Sequence, residues 1–236
     1  MNLINHLLIS LFVIILISCN TKTSKSVETI IIDQVEEISN QDEKTSYQEI
    51  KEEFKLTDDN VIDFLYEYEK SNKENKIRIY TNYGEIDILL FSNTPYHRSN
   101  FIYLTKSNYF EGTQFYRVVN DFVIQAGNSD NIKTSLKRQK IGKYLLPNDF
   151  NKGHTHKRGM VSMPSSSIDN PYKMASPYEF FIVQKKDGAH HLDGNYTIFG
   201  TVINGMEIVD IIASLPTDQR DWPLNNVYIN KIEIIN

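Results

Sequence analysis

Short runs in which every second residue is apolar recur along the chain, and this restricts it to a sheet-based fold. Ile77 and Ile79 precede Asn82-Tyr83-Gly84, and Ile86, Ile88 and Leu90 follow it. Alternation at period two gives each run one core face and one solvent face, and the glycine-containing break marks a turn, so residues 76–90 form a β-hairpin. Further strands read over Gln114–Val119, Phe122–Gln125, Gly159–Met163, Glu179–Gln184 and Tyr196–Val202. A last run, Val227-Ile229-Ile232-Ile234, is placed to pair with the opening hairpin. Thr94-Pro95 supplies an N-cap and a first-turn proline for a helix that carries Phe101, Ile102 and Leu104 and ends near Ser107. Asn204-Gly205 precedes a second helix through Val209 and Ile212. The expectation is a mainly β fold: a closed eight-stranded antiparallel barrel capped by two α-helices.

The ends of the chain differ in character. Leu7–Ile17 is an unbroken apolar run, shorter than a bilayer requires and suited to a signal-peptide core. Leu16-Ile17-Ser18-Cys19 follows, and it resembles the bacterial lipobox; Cys19 is the only cysteine. That resemblance implies cleavage before Cys19 and acylation of it, giving a multi-chain membrane anchor in the cell envelope; an ordinary signal peptide is the alternative. Residues 1–18 are thus read as signal peptide, 19–75 as a polar linker and 76–236 as the folded domain. Within the linker, Thr57 is placed to cap an amphipathic helix bearing Val61, Ile62, Leu65 and Tyr68. A helix docked on the domain, or a stalk, is preferred to a helix that binds a partner. The formal net charge of -5 argues against nucleic acid as a partner.

The most informative stretch is Phe115-Tyr116-Arg117-Val118-Val119-Asn120-Asp121-Phe122-Val123-Ile124-Gln125-Ala126-Gly127-Asn128. Arg117 and Gln125 are polar residues among strand-forming apolar ones, and polar groups on a buried face need partners. Glu179-Phe180-Phe181-Ile182-Val183, His191-Leu192-Asp193-Gly194 and Phe199-Gly200-Thr201-Val202 follow in order, with Gly159–Met163 between them and the first block and Gly205–Val209 after. In order and spacing these blocks resemble the cyclophilin-type peptidyl-prolyl cis/trans isomerases from about Lys76 to Asn236. The resemblance implies a groove for X-Pro polypeptides, with Phe122, Phe181 and Leu192 forming a proline pocket and Met163 beside it. It implies that Gln125 contacts the peptide backbone, that Pro164 and Ser165 flank the ligand, and that His191 and Tyr196 border the site. Arg117 would stabilise a twisted prolyl amide without a covalent step, a cofactor or a metal. A monomer is expected.

Several positions depart from the family pattern. Glu179 replaces the usual glutamine and is expected to pair with Arg117 and lower turnover. Tyr116 and Tyr196 stand where many relatives have histidine, and His191 where the eukaryotic form has tryptophan. Residues 129–158 read as an elaborated surface loop, with His154 and His156 as loop residues rather than metal ligands and the cluster Lys133, Lys137, Arg138 and Lys140 as a solvated face. Ser165-Ser166-Ser167 reads as a loop without nucleophilic chemistry. The leading reading is an isomerase assisting the folding of exported proteins; the alternative is a non-catalytic proline-peptide binding lipoprotein.

Overall fold

The structure is a computed structural model that describes residues 54–149, 151–165 and 169–236. The signal segment 1–18, Cys19, the linker as far as residue 53 and Ser166-Ser167 lie outside the described residues. The compact unit opens with β1 (Leu56–Thr57) and α1 (Val61–Ser71), then the hairpin β2 (Lys76–Thr81) and β3 (Gly84–Leu90). There follow α2 (Pro95–Lys106), β4 (Gln114–Val119), β5 (Val123–Asn128), α3 (Ile132–Ile141) and β6 (Gly142–Lys143). The chain ends with β7 (Met160–Ser162), β8 (Phe180–Val183), β9 (Ile198–Asn204), α4 (Met206–Ala213) and β10 (Ile229–Ile234).

Eight strands form one antiparallel sheet in the order β10-β2-β3-β9-β7-β8-β5-β4. Its two ends meet where Gly112 N–H donates to Ile229 O, Ile229 N–H to Thr113 O and Phe115 N–H to Val227 O, all at 2.8–2.9 Å. The sheet is therefore nearly closed, and most of its edge hydrogen-bonding capacity is satisfied internally. The two expected capping helices are α2 and α4. Two more, α1 and α3, lie in stretches that read as linker and loop.

Alternation explains the wall. Ile77, Ile79, Ile86, Ile88, Phe115, Ile124, Phe180 and Ile182 point inward and are at most 0% exposed. Phe101 of α2 enters this core, 4.7 Å from Phe110 and edge-on to Phe180 at 5.4 Å between centroids. Helix α2 is buried nearly all round, and some of its polar residues find partners there: Asn100 donates to Pro177 O and accepts from Tyr144 Oη. Arg98, also buried, forms an ion pair with Glu69 of α1. That pairing, with Phe64 and Tyr68 packed against Tyr103, docks α1 on α2. Asn60, not Thr57, is the N-cap of α1; its side chain instead accepts from Thr57 N–H at 2.9 Å. Thr57 belongs to β1, which pairs in parallel with β6. Gly142 makes this approach feasible, since a Cβ there would lie 2.0 Å from Leu56 O.

Helix α3 is capped by Asn131, whose side chain accepts from Lys133 N–H. The basic cluster it carries is more than a solvated face. Lys137 donates to the carbonyls of Asn108, Tyr109 and Glu111, and Arg138 donates to Tyr109 Oη and Gly127 O. These bonds hold α3 against the turn that follows α2.

One buried group in α2 works against stability. His97 is 0% exposed, neither ring nitrogen has a hydrogen-bond partner among the described residues, and burial pushes its pKa down to about 3. The unfolded chain binds a proton at this position near pH 6.5 while the folded one does not, so stability is full above that pH and falls as pH drops toward 3. At pH 5 the loss attributable to His97 is roughly 2 kcal/mol. His97→Leu should abolish that part of the acid sensitivity, so that the variant gains on the parent between pH 7.5 and pH 5 in urea titrations. Equal pH dependence of the two proteins would contradict the assignment.

Candidate active site

Strands β4 and β5 position the site through two slips in their register. Phe115 pairs with Ala126 and Arg117 with Gln125, leaving Tyr116 as an extra residue on β4; a slip between Gln114 and Phe115 leaves Gly127 extra on β5. A bulge of this kind turns the residues beyond it. Without it Arg117 would share the inward face of Phe115; with it, Arg117 joins Gln125 on the outer face, and Val118 returns to the core. The same outer face carries Val123, Phe181 and Val183, which form a second apolar cluster with Phe122, Met160, Ala189, Leu192 and Tyr196.

Over this cluster lies an open groove of about 270 Å³. Arg117, Phe122, Gln125, Pro164, Ser165, Phe181, Leu192 and Tyr196, all named as site residues from the sequence, line it together. Val123 also lines it, and that reading had missed it; its outward position follows from alternation with Ile124. His191 stands one step away, stacked on Phe122 at 5.3 Å in a neighbouring depression shared with Ser165, Leu192 and Tyr196. Two assignments change. Met163 is buried in the barrel core at 1% exposure and does not line the groove. Glu179 does not pair with Arg117: its carboxylate accepts from Tyr116 Oη at 2.8 Å and from Arg138 at 3.3 Å. The alternation that sends Phe180 inward and Phe181 outward leaves Glu179 at the strand's entry, beside α3. The carboxylate that does face Arg117 is Asp221, at 3.4 Å, on a turn whose carbonyl accepts from Val118 N–H. Pro164 O already accepts from Ser176 N–H, so part of the backbone expected to flank a ligand is engaged within the protein.

Behind the groove lies a hydrogen-bonded chain centred on the buried His156, which the sequence reading treated as a surface-loop residue. His156 Nδ1 is 2.6 Å from Asp193, its Nε2 is 3.0 Å from Ser162 Oγ, and its ring lies parallel to Phe181 at 6.0 Å. The connectivity is that of a hydrolytic triad, but Ser162 is 0% exposed, so no carbonyl can reach its hydroxyl. The chain instead ties β7 to the turn that carries Leu192. Burial pushes the His156 pKa down, against the pull of Asp193. Among the described residues no three His, Cys, Asp or Glu side chains converge as metal ligands.

The groove is an apolar pocket on the outer wall of an antiparallel barrel, with one guanidinium and one side-chain amide among its lining groups, an arrangement suited to an apolar ring flanked by a polar backbone. The cyclophilin type peptidyl-prolyl cis-trans isomerase family matches residues 76–234. The chain is 35% identical over 161 residues to peptidyl-prolyl cis-trans isomerase-like 3 of Gallus gallus, covering 67% of this chain and 94% of that one. It is 35% identical over 166 residues to a peptidyl-prolyl cis-trans isomerase of Acinetobacter baylyi, covering 67% and 84%. Against peptidyl-prolyl cis-trans isomerase-like 2 of Rhizopus delemar, 34% identical, it spans only 30% of the longer protein. A crystal structure of a Cryptosporidium parvum cyclophilin type isomerase in the presence of the dipeptide Ala-Pro superposes with a TM-score of 0.57 at 29% identity, covering 68% of this chain and 99% of that one. This chain belongs to the cyclophilin-type peptidyl-prolyl cis-trans isomerase family.

The Arg117–Asp221 pair is partly exposed, so its hold on the guanidinium is weak and sensitive to salt. Asp221→Asn should raise kcat/KM on an X-Pro peptide by less than about fivefold, with the gain shrinking as salt is added. A fall in kcat/KM would mean that Asp221 holds Arg117 in its working position.

Proposed function

We propose that this enzyme isomerises X-Pro bonds of exported polypeptides while held at a bacterial membrane through Cys19, with Arg117 as the group that lowers the barrier. The observation that carries the catalytic part is the register slip at Tyr116, which sets Arg117 beside Gln125 at the rim of the pocket lined by Phe122, Val123, Phe181 and Leu192. A prolyl ring seated in that pocket brings its amide nitrogen under the guanidinium. Amide resonance makes the C–N bond partly double, and twisting it localises the lone pair on nitrogen. A cation placed there stabilises the twisted form more than the planar one. Each 1.36 kcal/mol so gained is about tenfold in rate. The Ala-Pro dipeptide of the Cryptosporidium structure supports a proline-containing ligand for this groove.

Arg117→Ala should lower kcat/KM by about a hundredfold, in the range seen when one preorganised donor is removed, while peptide affinity changes little. Arg117→Lys should recover only part, because an ammonium lacks the planar fork. NMR exchange spectroscopy on an X-Pro peptide measures both. Exchange in Arg117→Ala at the parent rate would remove Arg117 from the mechanism, and peptide binding without any exchange in the parent protein would favour a non-catalytic binding lipoprotein.

The lipobox-like Leu16-Ile17-Ser18-Cys19 supports the anchored location. Cys19→Ser should leave the protein either released from the membrane fraction or uncleaved. Normal maturation with unchanged membrane attachment would overturn the anchor.

A further inference from the structure

The side chains behind Gln125 determine which end of its amide faces the groove. Gln125 Nε2 donates to Tyr116 Oη, and Tyr116 Oη is 2.8 Å from Glu179 Oε2. Glu179 Oε1 accepts from Arg138, which also donates to Tyr109 Oη. One link sets the polarity of the series. A carboxylate held by a guanidinium offers only acceptor oxygens, so the Tyr116 proton must go to Glu179. Burial, with the charge of Glu179 adding to it, pushes the Tyr116 phenol far above its ordinary value, so the proton stays on Tyr116. The Tyr116 oxygen can then only accept from Gln125, and of the two ends of a glutamine amide only the nitrogen donates. Gln125 Oε1 is left on the other branch of the amide, without a hydrogen-bond partner among the described residues, on a side chain that lines the groove.

We propose that Glu179, acting through Tyr116, fixes Gln125 as a hydrogen-bond acceptor toward the bound peptide, so that this enzyme selects X-Pro segments offering a free backbone N–H beside the prolyl bond. The inference rests on the groove being the peptide site proposed above. A glutamine at position 179 could donate or accept, and Tyr116 and Gln125 could then reverse together. The carboxylate removes that freedom. Segments in which the flanking residue is a second proline lack the N–H and become poor substrates. Glu179 and Tyr116 are positioning residues here, and Gln125 makes the contact.

The test uses one X-Pro peptide and analogues in which each flanking backbone amide in turn is replaced by an ester, which removes the N–H at constant chain length. With the parent protein, one ester should slow catalysed exchange by about tenfold and weaken binding to a similar degree, as the loss of a single hydrogen bond does. In Glu179→Gln and in Tyr116→Phe that discrimination should fall below about threefold. The Gln125 side-chain amide protons should move in both variants, while amide spectra elsewhere show the fold retained. Equal handling of amide and ester at every flanking position by the parent protein, or discrimination that persists in both variants, would overturn the inference. If the parent protein binds the peptides but catalyses no exchange, the isomerase reading fails and the affinity ratios alone decide the role of Glu179.

Discussion

The pairing of β4 with β5 slips at Tyr116, and the groove depends on that slip. A strand read at strict period two would send Arg117 into the barrel with Phe115, where a guanidinium among Ile124, Phe180 and Ile182 would lack both water and a partner. An extra residue moves it through the wall. Gly127 supplies the complementary irregularity on β5, with a φ of +99° and no room for a Cβ, which would lie 2.2 Å from Tyr178 O. Arg117, Gln125 and Phe181 then stand on adjacent strands at matched register, so the relative placement of cation, amide and apolar floor is as rigid as the sheet.

The wall also separates two kinds of burial. The inner cluster is continuous with both capping helices and holds the fold; the outer one is small, and its lid is the turn around Leu192. Changes at the outer face can alter ligand contacts without opening the core. The exception is the chain Ser162–His156–Asp193, which runs from a wall strand to the lid and links the two.

Much of this was legible in the amino-acid order. The hairpin, the helix that starts at Thr94-Pro95 and the pairing of the last run with the first follow from alternation and caps, while the groove residues were named only through the family resemblance of the ordered blocks. What was not legible has particular causes. The bulge leaves only a faint trace, the three-residue spacing between the inward Phe115 and Val118. Helix α3 buries little beyond Thr134 and Ile141, so no apolar stripe announces it. Its Arg138 takes Glu179 away from Arg117, and Asp221 arrives from a turn about a hundred residues further along the chain. His156 looks like any loop histidine until Phe181 and Tyr196 enclose it. Such pairings are made by tertiary approach, and local spacing carries no record of them.

The clasp formed by β1 and α1 has a mechanical meaning. Tension applied to the chain ahead of residue 54 reaches first the two-residue parallel pairing of Leu56 and Thr57 with Gly142 and Lys143, then the contact of α1 with α2 through Glu69 and Arg98. Only after both have yielded does load reach β2, which is hydrogen-bonded along its length on both sides by β10 and β3. The segment before the barrel therefore takes the first load, and because Leu56, Val61 and Leu65 share the buried core, its release has to draw apolar side chains out of that core before the strands that carry Arg117 and Gln125 feel the pull.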